Sequence, residues 1–364
     1  GLSGTPTADF LELTSANLAT PTIADGSKYF QPTLYTGTGS SRSVDQSGNS
    51  TFQPDWVWVK SRGTGADHAL YDVLRGVQKE LKSNDSGAEA TITTGLTAFE
   101  SDGFQVGSRV GMNGSSATFV AWQWKANGSG SSNEDGSINT TATSVNATAG
   151  FSISTYTGTG SNATVGHGLG VAPKMVIVKR RNAAESWRVW HYNLTDGTKY
   201  LNLENTDAQQ TLAAMWNSTV PSSTVVSIGT NASVNTGSST YVMYAFAEIP
   251  GYSKFGSYEG NANANGTFVY TGFKPSFILT KNIDTTDQWG IRDAARNPFN
   301  VTDKLLNPNA ATAETSSTTG YIDILSNGFK ARSADSNINS STLIYMAFAE
   351  NPFGGDGVAP ATAR

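Results

Sequence analysis

The sequence predicts an all-β protein made of three tandem β-sandwich-like repeats. Glycine, serine, threonine, asparagine and alanine are abundant, charged residues make up only 15% of the chain, and no long stretch carries apolar residues at helical spacing. One apolar strand also occurs three times. A second motif, at the other end of each unit, also occurs three times. The number of residues between successive copies is nearly the same for the two motifs.

The recurring strand begins at a proline and ends at a lysine, over residues 54–60, 173–179 and 275–281. Proline lacks a ladder donor and suits the first position of a strand. The residues between are apolar on both faces, which predicts a strand buried between two layers. Trp56 and Trp58 are therefore expected in the core, with an aromatic binding platform as the alternative. The core is favoured because size and apolarity recur at the matching positions without the indole ring: Met175, Ile177, Phe277 and Leu279.

The second motif is the closing strand of each repeat, which carries Trp124, Phe246 or Phe348 near its end. Units of this length are whole domains rather than solenoid turns, so we expect each to have its own core. The predicted boundaries are an N-terminal arm (1–30), repeat 1 (31–127), a linker (128–145), repeat 2 (146–250), repeat 3 (251–353) and a flexible tail (354–364).

Charge and cysteine content exclude several classes of function. The net charge of −5 and the pI near 5.3 argue against nucleic acid and anionic membranes as partners. No apolar run approaches the roughly 20 residues of a membrane span. The absence of cysteine excludes disulfides, thiolate metal sites and cysteine nucleophiles.

The remaining chemistry-bearing residues predict no catalytic, cofactor-binding or metal site. His68, His167 and His191 show no metal-ligand spacing, and no Gly-x-Ser-x-Gly elbow occurs. Glu248 and Glu350 occupy equivalent places in repeats 2 and 3, so they are not the two different carboxylates of a glycosidase. We therefore predict a protein without enzymatic activity and without a cofactor.

Two further motifs have a structural interpretation and an alternative. Asp72 with Arg75, and Asp293 with Arg296, stand at the same place in repeats 1 and 3, which favours an ion pair that steadies a turn over a catalytic carboxylate. The segment 133–137 offers oxygen ligands for calcium but lacks the spaced bidentate glutamate of a full loop, so it is interpreted as a linker first and as a calcium site second.

Repeat 1 carries a combination of motifs that resembles a known family. The motifs are Tyr-Thr-Gly-Thr-Gly at 35–39, Phe-x-Pro-Asp-Trp-Val-Trp-Val-Lys at 52–60, Tyr-Asp-x-x-Arg-Gly at 71–76, Ser-Asp-Gly-Phe at 101–104 and Phe-Val-Ala-Trp at 119–122. Together they resemble repeat domains of unknown function in structural proteins of tailed bacteriophages, especially marine ones. The resemblance implies a virion surface protein and implies no catalytic or ligand residue.

These observations predict a non-enzymatic virion structural protein, exposed on the particle as a fibre, an appendage or a capsid decoration, that aids host attachment. The alternatives are a carbohydrate-binding adhesin, which would expose aromatic side chains, and a polysaccharide-degrading enzyme, which would hold two close carboxylates in a cleft. The expected partners are other virion proteins, a host surface glycan and copies of the chain itself. We expect a trimer by analogy with phage fibres. Phe10, Leu11 and Leu13 of the arm are expected to contact a neighbouring subunit or an anchoring protein.

Overall fold

Antiparallel strands dominate the computed structural model, which describes residues 21–316 and 319–352. Repeat 1 contains β1 (Phe30–Thr36), β2 (Arg42–Asp45), β3 (Trp56–Ser61), β4 (Ala69–Asp72), β5 (Lys79–Glu80), β6 (Ala90–Thr91), β7 (Leu96–Glu100), β8 (Gly103–Val106), α1 (Val110–Asn113) and β9 (Thr118–Trp124). The linker and repeat 2 contain β10 (Ala142–Asn146), β11 (Phe151–Thr157), β12 (Ala163–Gly166), β13 (Met175–Arg180), β14 (Arg188–His191), β15 (Lys199–Asn202), β16 (Gln210–Thr211), α2 (Ala213–Trp216), β17 (Val225–Ile228), α3 (Ala232–Asn235) and β18 (Thr240–Phe246).

Repeat 3 contains β19 (Ser253–Asn261), β20 (Phe268–Tyr270), β21 (Phe273–Asn282), β22 (Trp289–Asp293), β23 (Lys304–Leu305), β24 (Thr315–Ser316), β25 (Ile322–Leu325), β26 (Gly328–Ala331), α4 (Ser336–Asn339) and β27 (Ser340–Pro352). Short 3-10 turns occur at Gly26–Lys28 and Tyr192–Leu194. No helix in the described part of the chain is long and apolar enough to cross a membrane. The all-β prediction is therefore confirmed.

The same sheet occurs in each repeat. The strand order is β1-β9-β3-β4 in repeat 1, β11-β18-β13-β14 in repeat 2 and β19-β27-β21-β22 in repeat 3. In repeat 2 this sheet continues through β10 at one edge and through β15 and β16 at the other. The recurring strands found in the sequence are β3, β13 and β21, and each lies third in its order.

A second, smaller sheet packs against each of these sheets. The smaller sheets are β2-β8-β7, β12-β17 and β20-β26-β25. In repeat 1, Val57 and Val59 of β3 face this second sheet and pack in one cluster with Phe104 and Val106 of β8. Because side chains alternate along a strand, Trp56 and Trp58 point to the opposite face. The strand is thus buried on both sides, as its sequence predicts.

The opposite face of each large sheet contributes to one core shared by all three repeats. Phe348 of repeat 3 lies with its ring centroid 5.1 Å from that of Phe30, 5.9 Å from that of Trp124 and 6.2 Å from that of Phe246. Trp56 of repeat 1 stacks on Tyr244 of repeat 2 at 4.6 Å. Repeats 1 and 2 each also have an apolar cluster of their own between the two sheets. The cores are nevertheless not separate as expected, because aromatic residues of each repeat are buried against those of the other two.

The Tyr-Thr-Gly motif that opens each of the first two repeats holds a short helix against the sheet. The Tyr35 hydroxyl donates to the Met112 carbonyl of α1 at 2.7 Å, and the Thr38 amide donates to the side chain of Asn113 at 2.9 Å. A Cβ at Gly37 would lie 2.2 Å from the Gly114 carbonyl oxygen, so a glycine is needed for this close approach. Equivalent bonds join Tyr156 to Val234, Thr159 to Asn235 and Tyr258 to Ile338.

The predicted arm and tail fall largely on residues that the structure does not describe. Phe10, Leu11 and Leu13 lie outside the described residues, as do residues 354–364. Within the described end of the arm, Ile23 and Phe30 are buried in the shared core. This part of the chain therefore packs against the repeats.

Candidate functional site

Trp56 and Trp58 are core residues and not an exposed platform. Both are at most 1% exposed. The Trp58 indole N–H donates to Nδ1 of His68 at 2.8 Å, so its polar atom is satisfied inside the protein. The sequence-based preference for the core is confirmed, and these two rings are unavailable to a ligand.

The lysines that end the recurring strands join neighbouring repeats. Lys60, Lys179 and Lys281 are all buried. Each Nζ donates to the carbonyl of the next residue in its own strand at 2.7–2.9 Å. Each also donates to a carbonyl of another repeat: Lys60 to Ala311 at 3.2 Å, Lys179 to Ser86 at 3.1 Å and Lys281 to Thr206 at 3.2 Å. We call these three junctions the 1–3, 2–1 and 3–2 seams.

Burial lowers the pKa of all three lysines to about 8. The cause is desolvation of an ammonium group away from water. The seam carbonyls replace some of the lost hydration, because each Nζ donates to carbonyl oxygens on both sides of its seam. The sequence marks these lysines as strand ends but gives no sign that they are buried.

Two further bonds recur at every seam. Backbone amides of Glu314, Glu89 and Gln209 donate to the carbonyls of Arg62, Arg181 and Ile283 at 2.8–2.9 Å. Ring nitrogens of His68, Trp187 and Trp289 reach the carbonyls of Asn307, Lys82 and Asn202 at 2.8–3.0 Å. Repeat 1 is joined to repeat 3, repeat 3 to repeat 2 and repeat 2 to repeat 1, so the contacts close a ring.

The Asp-x-x-Arg motifs are buried ion pairs that also reach across the seams. Asp293 pairs with Arg296 at 2.6 Å, and Asp72 pairs with Arg75. Asp293 accepts a hydrogen bond from the Trp122 indole of repeat 1 at 3.0 Å, and Asp72 accepts one from the Tyr244 hydroxyl of repeat 2 at 2.7 Å. Both aspartates thus bond to protein groups inside the molecule. This agrees with the interpretation of the motif as an ion pair that steadies a turn.

Charged side chains reinforce two of the seams near the surface. Glu314 accepts two bonds from the guanidinium of Arg62, and Glu89 accepts two from that of Arg181, all at 2.9–3.0 Å. Bidentate pairs of this kind fix orientation as well as distance. At the 3–2 seam the position that matches the arginines is Ile283, so this pair is absent there.

The three histidines occupy separate environments and do not form a metal site with one another. His68 and His191 are completely buried, and burial lowers the pKa of each to about 3. Each Nδ1 accepts an N–H, from Trp58 or from the Asn193 amide, and each Nε2 donates to a carbonyl of another repeat. Both imidazoles are therefore neutral. His167 bonds to the Ser222 carbonyl within repeat 2.

The segment predicted as a linker packs along repeat 2. Asn133 and Asp135 bond to one another through side-chain and backbone groups at 2.9 and 3.1 Å, and the Ser137 amide donates to Thr164 at 2.8 Å. The chain then bridges β12 at Ile138 and forms β10. A side-chain oxygen of Asn133 and one of Asp135 thus already accept hydrogen bonds inside this turn.

One cluster of three carboxylates lies at the surface of the described structure. Asp45, Glu100 and Asp102 place their oxygens within 4.8 Å of one another, where the end of β2 meets the β7–β8 hairpin turn. A cavity of about 420 Å³ between repeats 1 and 3 has polar lining from Gln31, Asn49 and Lys274 among others, and no carboxylate lines it. Glu248 pairs with Lys254 at 2.7 Å, and the side chain of Glu350 lies outside the described residues.

The sequence-based reasoning missed an exposed pair of aromatic residues in repeat 3. Phe268 and Tyr270 of β20 are 45% and 58% exposed, while Val269 between them is buried. The alternation Phe-Val-Tyr is the signal that could have found them, because it places both rings on one face of a strand. This is the surface of the described chain that best fits a ligand.

A family model described as a domain of unknown function (DUF7483) matches residues 25–352, a single span that includes all three repeats. No curated protein matches the chain.

Proposed function

The chain belongs to the DUF7483 family, and we propose, from the motifs of repeat 1, that it is a non-enzymatic structural protein of a bacteriophage virion. It is exposed on the particle surface as a fibre, an appendage or a capsid decoration, where it aids attachment to the host. The motifs of repeat 1 support this assignment through their resemblance to phage structural proteins.

One observation carries the non-enzymatic part of the proposal: the buried groups that could do chemistry hold the repeats together. The seam lysines, His68, His191 and the two Asp-Arg pairs all bond to protein groups inside the molecule. A catalytic acid, base or nucleophile must instead reach a substrate in a cleft. The cavity between repeats 1 and 3 offers no such pair of carboxylates.

We propose that the three repeats are two-sheet β-sandwiches arranged as a ring of approximate three-fold symmetry. The recurrence of the strand order and the equivalence of the seam bonds support this arrangement. One chain then provides what three separate subunits provide in a homotrimer. A rigid ring suits a protein that must keep its shape outside the cell.

Copies of the chain and other virion proteins remain the proposed partners. The seam surfaces are occupied inside the ring, so contacts between copies would use its outer faces. Many copies on one particle would turn a weak individual attachment into a strong one. Sedimentation of the purified chain measures whether the trimer expected from phage fibres forms.

Electron microscopy of particles with gold-labelled antibodies against the chain tests the proposed function. Particles that encode the chain should carry label at a defined surface position. Particles in which the gene has been deleted serve as the control, and adding the purified chain should restore the label. Unlabelled intact particles, or cleavage of a host polysaccharide by the purified chain, would contradict the proposal.

A further inference from the structure

All three exposed aromatic side chains of the described residues belong to repeat 3. Phe268 and Tyr270 stand on β20, and Phe299, which is 77% exposed, lies near the other edge of the same sheet. The side chain of Asn300 bonds to the backbone of Ile324 in β25, which places Phe299 beside that strand. Exposed aromatic residues gathered on one sheet indicate a binding surface.

Phe268 and Tyr270 stand side by side on the outer face of the β20-β26-β25 sheet. Residues two apart in a strand point the same way and are separated by about 6–7 Å. Tyr270 lies opposite Gly328 of β26. A Cβ at Gly328 would lie 2.0 Å from the Val269 carbonyl oxygen, so this position is restricted to glycine. The tyrosine ring therefore has no side chain directly opposite it on β26.

Hydrogen-bonding groups flank the two rings. Lys330 lies opposite Phe268, and its Nζ donates to Asn265 at 2.6 Å. Asp323 lies opposite Lys330 on the next strand and pairs with Arg332, whose side chain is 44% exposed. The outer face thus combines two apolar rings with charged donors and acceptors at its surface.

The fold does not require these rings. Strands β2 and β12 occupy the place of β20 in repeats 1 and 2, and Val44 and Val165 match the buried Val269. The positions that flank the valine hold small or polar residues in those repeats: Ser43 and Asp45 in β2, Thr164 and Gly166 in β12. The same sandwich forms there without aromatic residues, so Phe268 and Tyr270 have no packing role that explains them.

The size of the surface favours a small ligand over a protein. An aromatic side chain carries about 150–250 Å² of surface, so the two rings, each roughly half exposed, present on the order of 200 Å². A stable protein interface buries about 800 Å² on each partner. A sugar ring has an apolar face of C–H groups that can stack on an aromatic ring, and hydroxyl groups that can bond to Lys330, Asp323 and Arg332.

We propose that the outer face of the β20-β26-β25 sheet binds an oligosaccharide, with adjacent sugar rings stacked on Phe268 and Tyr270. The inference rests on the proposed function, because attachment to a host requires a ligand on the cell surface. Repeats 1 and 2 lack the rings at the matching strands, so each ring-shaped chain has one such site.

The experiment measures binding of the purified chain to cellohexaose, chitohexaose, mannohexaose and bacterial surface polysaccharides on an array, followed by calorimetry with the glycan that binds best. The Phe268→Ala/Tyr270→Ala double variant is compared with Val171→Ala, which truncates a side chain of similar exposure in repeat 2. We expect wild type and Val171→Ala to bind equally, and the double variant to bind at least tenfold more weakly. Circular dichroism should show the same unfolding temperature for all three proteins.

Two results would overturn the inference: no binding to any glycan on the array, or equal binding by the double variant. Loss of self-association in the double variant, without any glycan binding, would assign the face to protein contacts instead. The labelling of particles separates this inference from the proposed function. If particles carry the label but the purified chain binds no glycan, the proposed glycan site is wrong and the virion assignment stands. If the purified chain binds a glycan but particles carry no label, the virion assignment is wrong and the glycan site stands.

Discussion

Mild acid should weaken the ring through its two buried histidines. In the folded chain Nδ1 of His68 accepts the Trp58 indole N–H, and Nδ1 of His191 accepts the Asn193 amide. Protonation of the ring at Nδ1 would turn this nitrogen into a donor and would place its N–H against the N–H of Trp58 or of Asn193. Burial lowers the pKa of both groups to about 3, whereas an imidazole in an unfolded chain titrates near about 6.5.

The sign and size of the effect follow from these pKa values. Between pH 6.5 and 3 the unfolded chain binds more protons than the folded chain, so stability is full above pH 6.5 and falls as the pH falls. Each histidine lowers the free energy of unfolding by about 1.4 kcal/mol for each pH unit in this window. At pH 5 the two together should remove about 4 kcal/mol.

Urea denaturation at pH 7.5, 6 and 5, followed by tryptophan fluorescence, measures this loss. The matched variant is His68→Gln/His191→Gln, because glutamine offers one acceptor and one donor but does not titrate. Wild type should lose about 4 kcal/mol more than the double variant between pH 7.5 and 5, and each single variant should remove about half of the difference. Identical pH profiles for wild type and the double variant would refute the reasoning.

Three further predictions concern the core and the seams. Trp58→Ala should lower the free energy of unfolding by roughly 3–5 kcal/mol, since a buried ring is lost, and a urea-determined change under about 1 kcal/mol would contradict its burial. Asp293→Asn should cost about 1.5–3 kcal/mol by the same measurement, because it removes the nearer of the two carboxylates that pair with the buried Arg296 guanidinium and leaves Glu314 as the other; an unchanged midpoint would show that the pair is not needed. Residues 146–250 expressed alone should unfold at a lower temperature than the full chain, because Phe246 and Tyr244 lose their neighbours from repeats 1 and 3 while the cluster between the two sheets of repeat 2 remains; an unchanged unfolding temperature would show that the shared core adds no stability.

The buried strands within each repeat could be predicted from the sequence. The way the three repeats pack against one another could not. Valine and tryptophan alternating from Trp56 to Val59 predict a strand buried on both faces, and the structure has one. Nothing in that alternation says that the valine face packs within a repeat while the tryptophan face meets other repeats. That difference depends on residues more than a hundred positions away, such as Tyr244.

For the residues at the seams, too, the sequence predicts the local contacts and does not predict the contacts with other repeats. The Asp72 and Arg75 spacing predicts a local pair, but the Tyr244 hydroxyl that also binds Asp72 comes from another repeat. In the sequence Lys60 is an ordinary strand end, and its contact with Ala311 of repeat 3 is not predictable from its own repeat. Phe268 and Tyr270 could have been found from the sequence, by comparing β20 with its counterparts in the other repeats.

Amide hydrogen exchange in the Phe348→Ala variant tests the shared core most directly. Phe348 belongs to repeat 3, yet its ring packs against Phe30 at the end of the arm, Trp124 of repeat 1 and Phe246 of repeat 2. If the three repeats form one cooperative unit, the slowest amides of β9, β18 and β27 should all exchange faster by a similar factor. Faster exchange confined to β27 and its neighbours, with β9 and β18 unchanged, would contradict a common core.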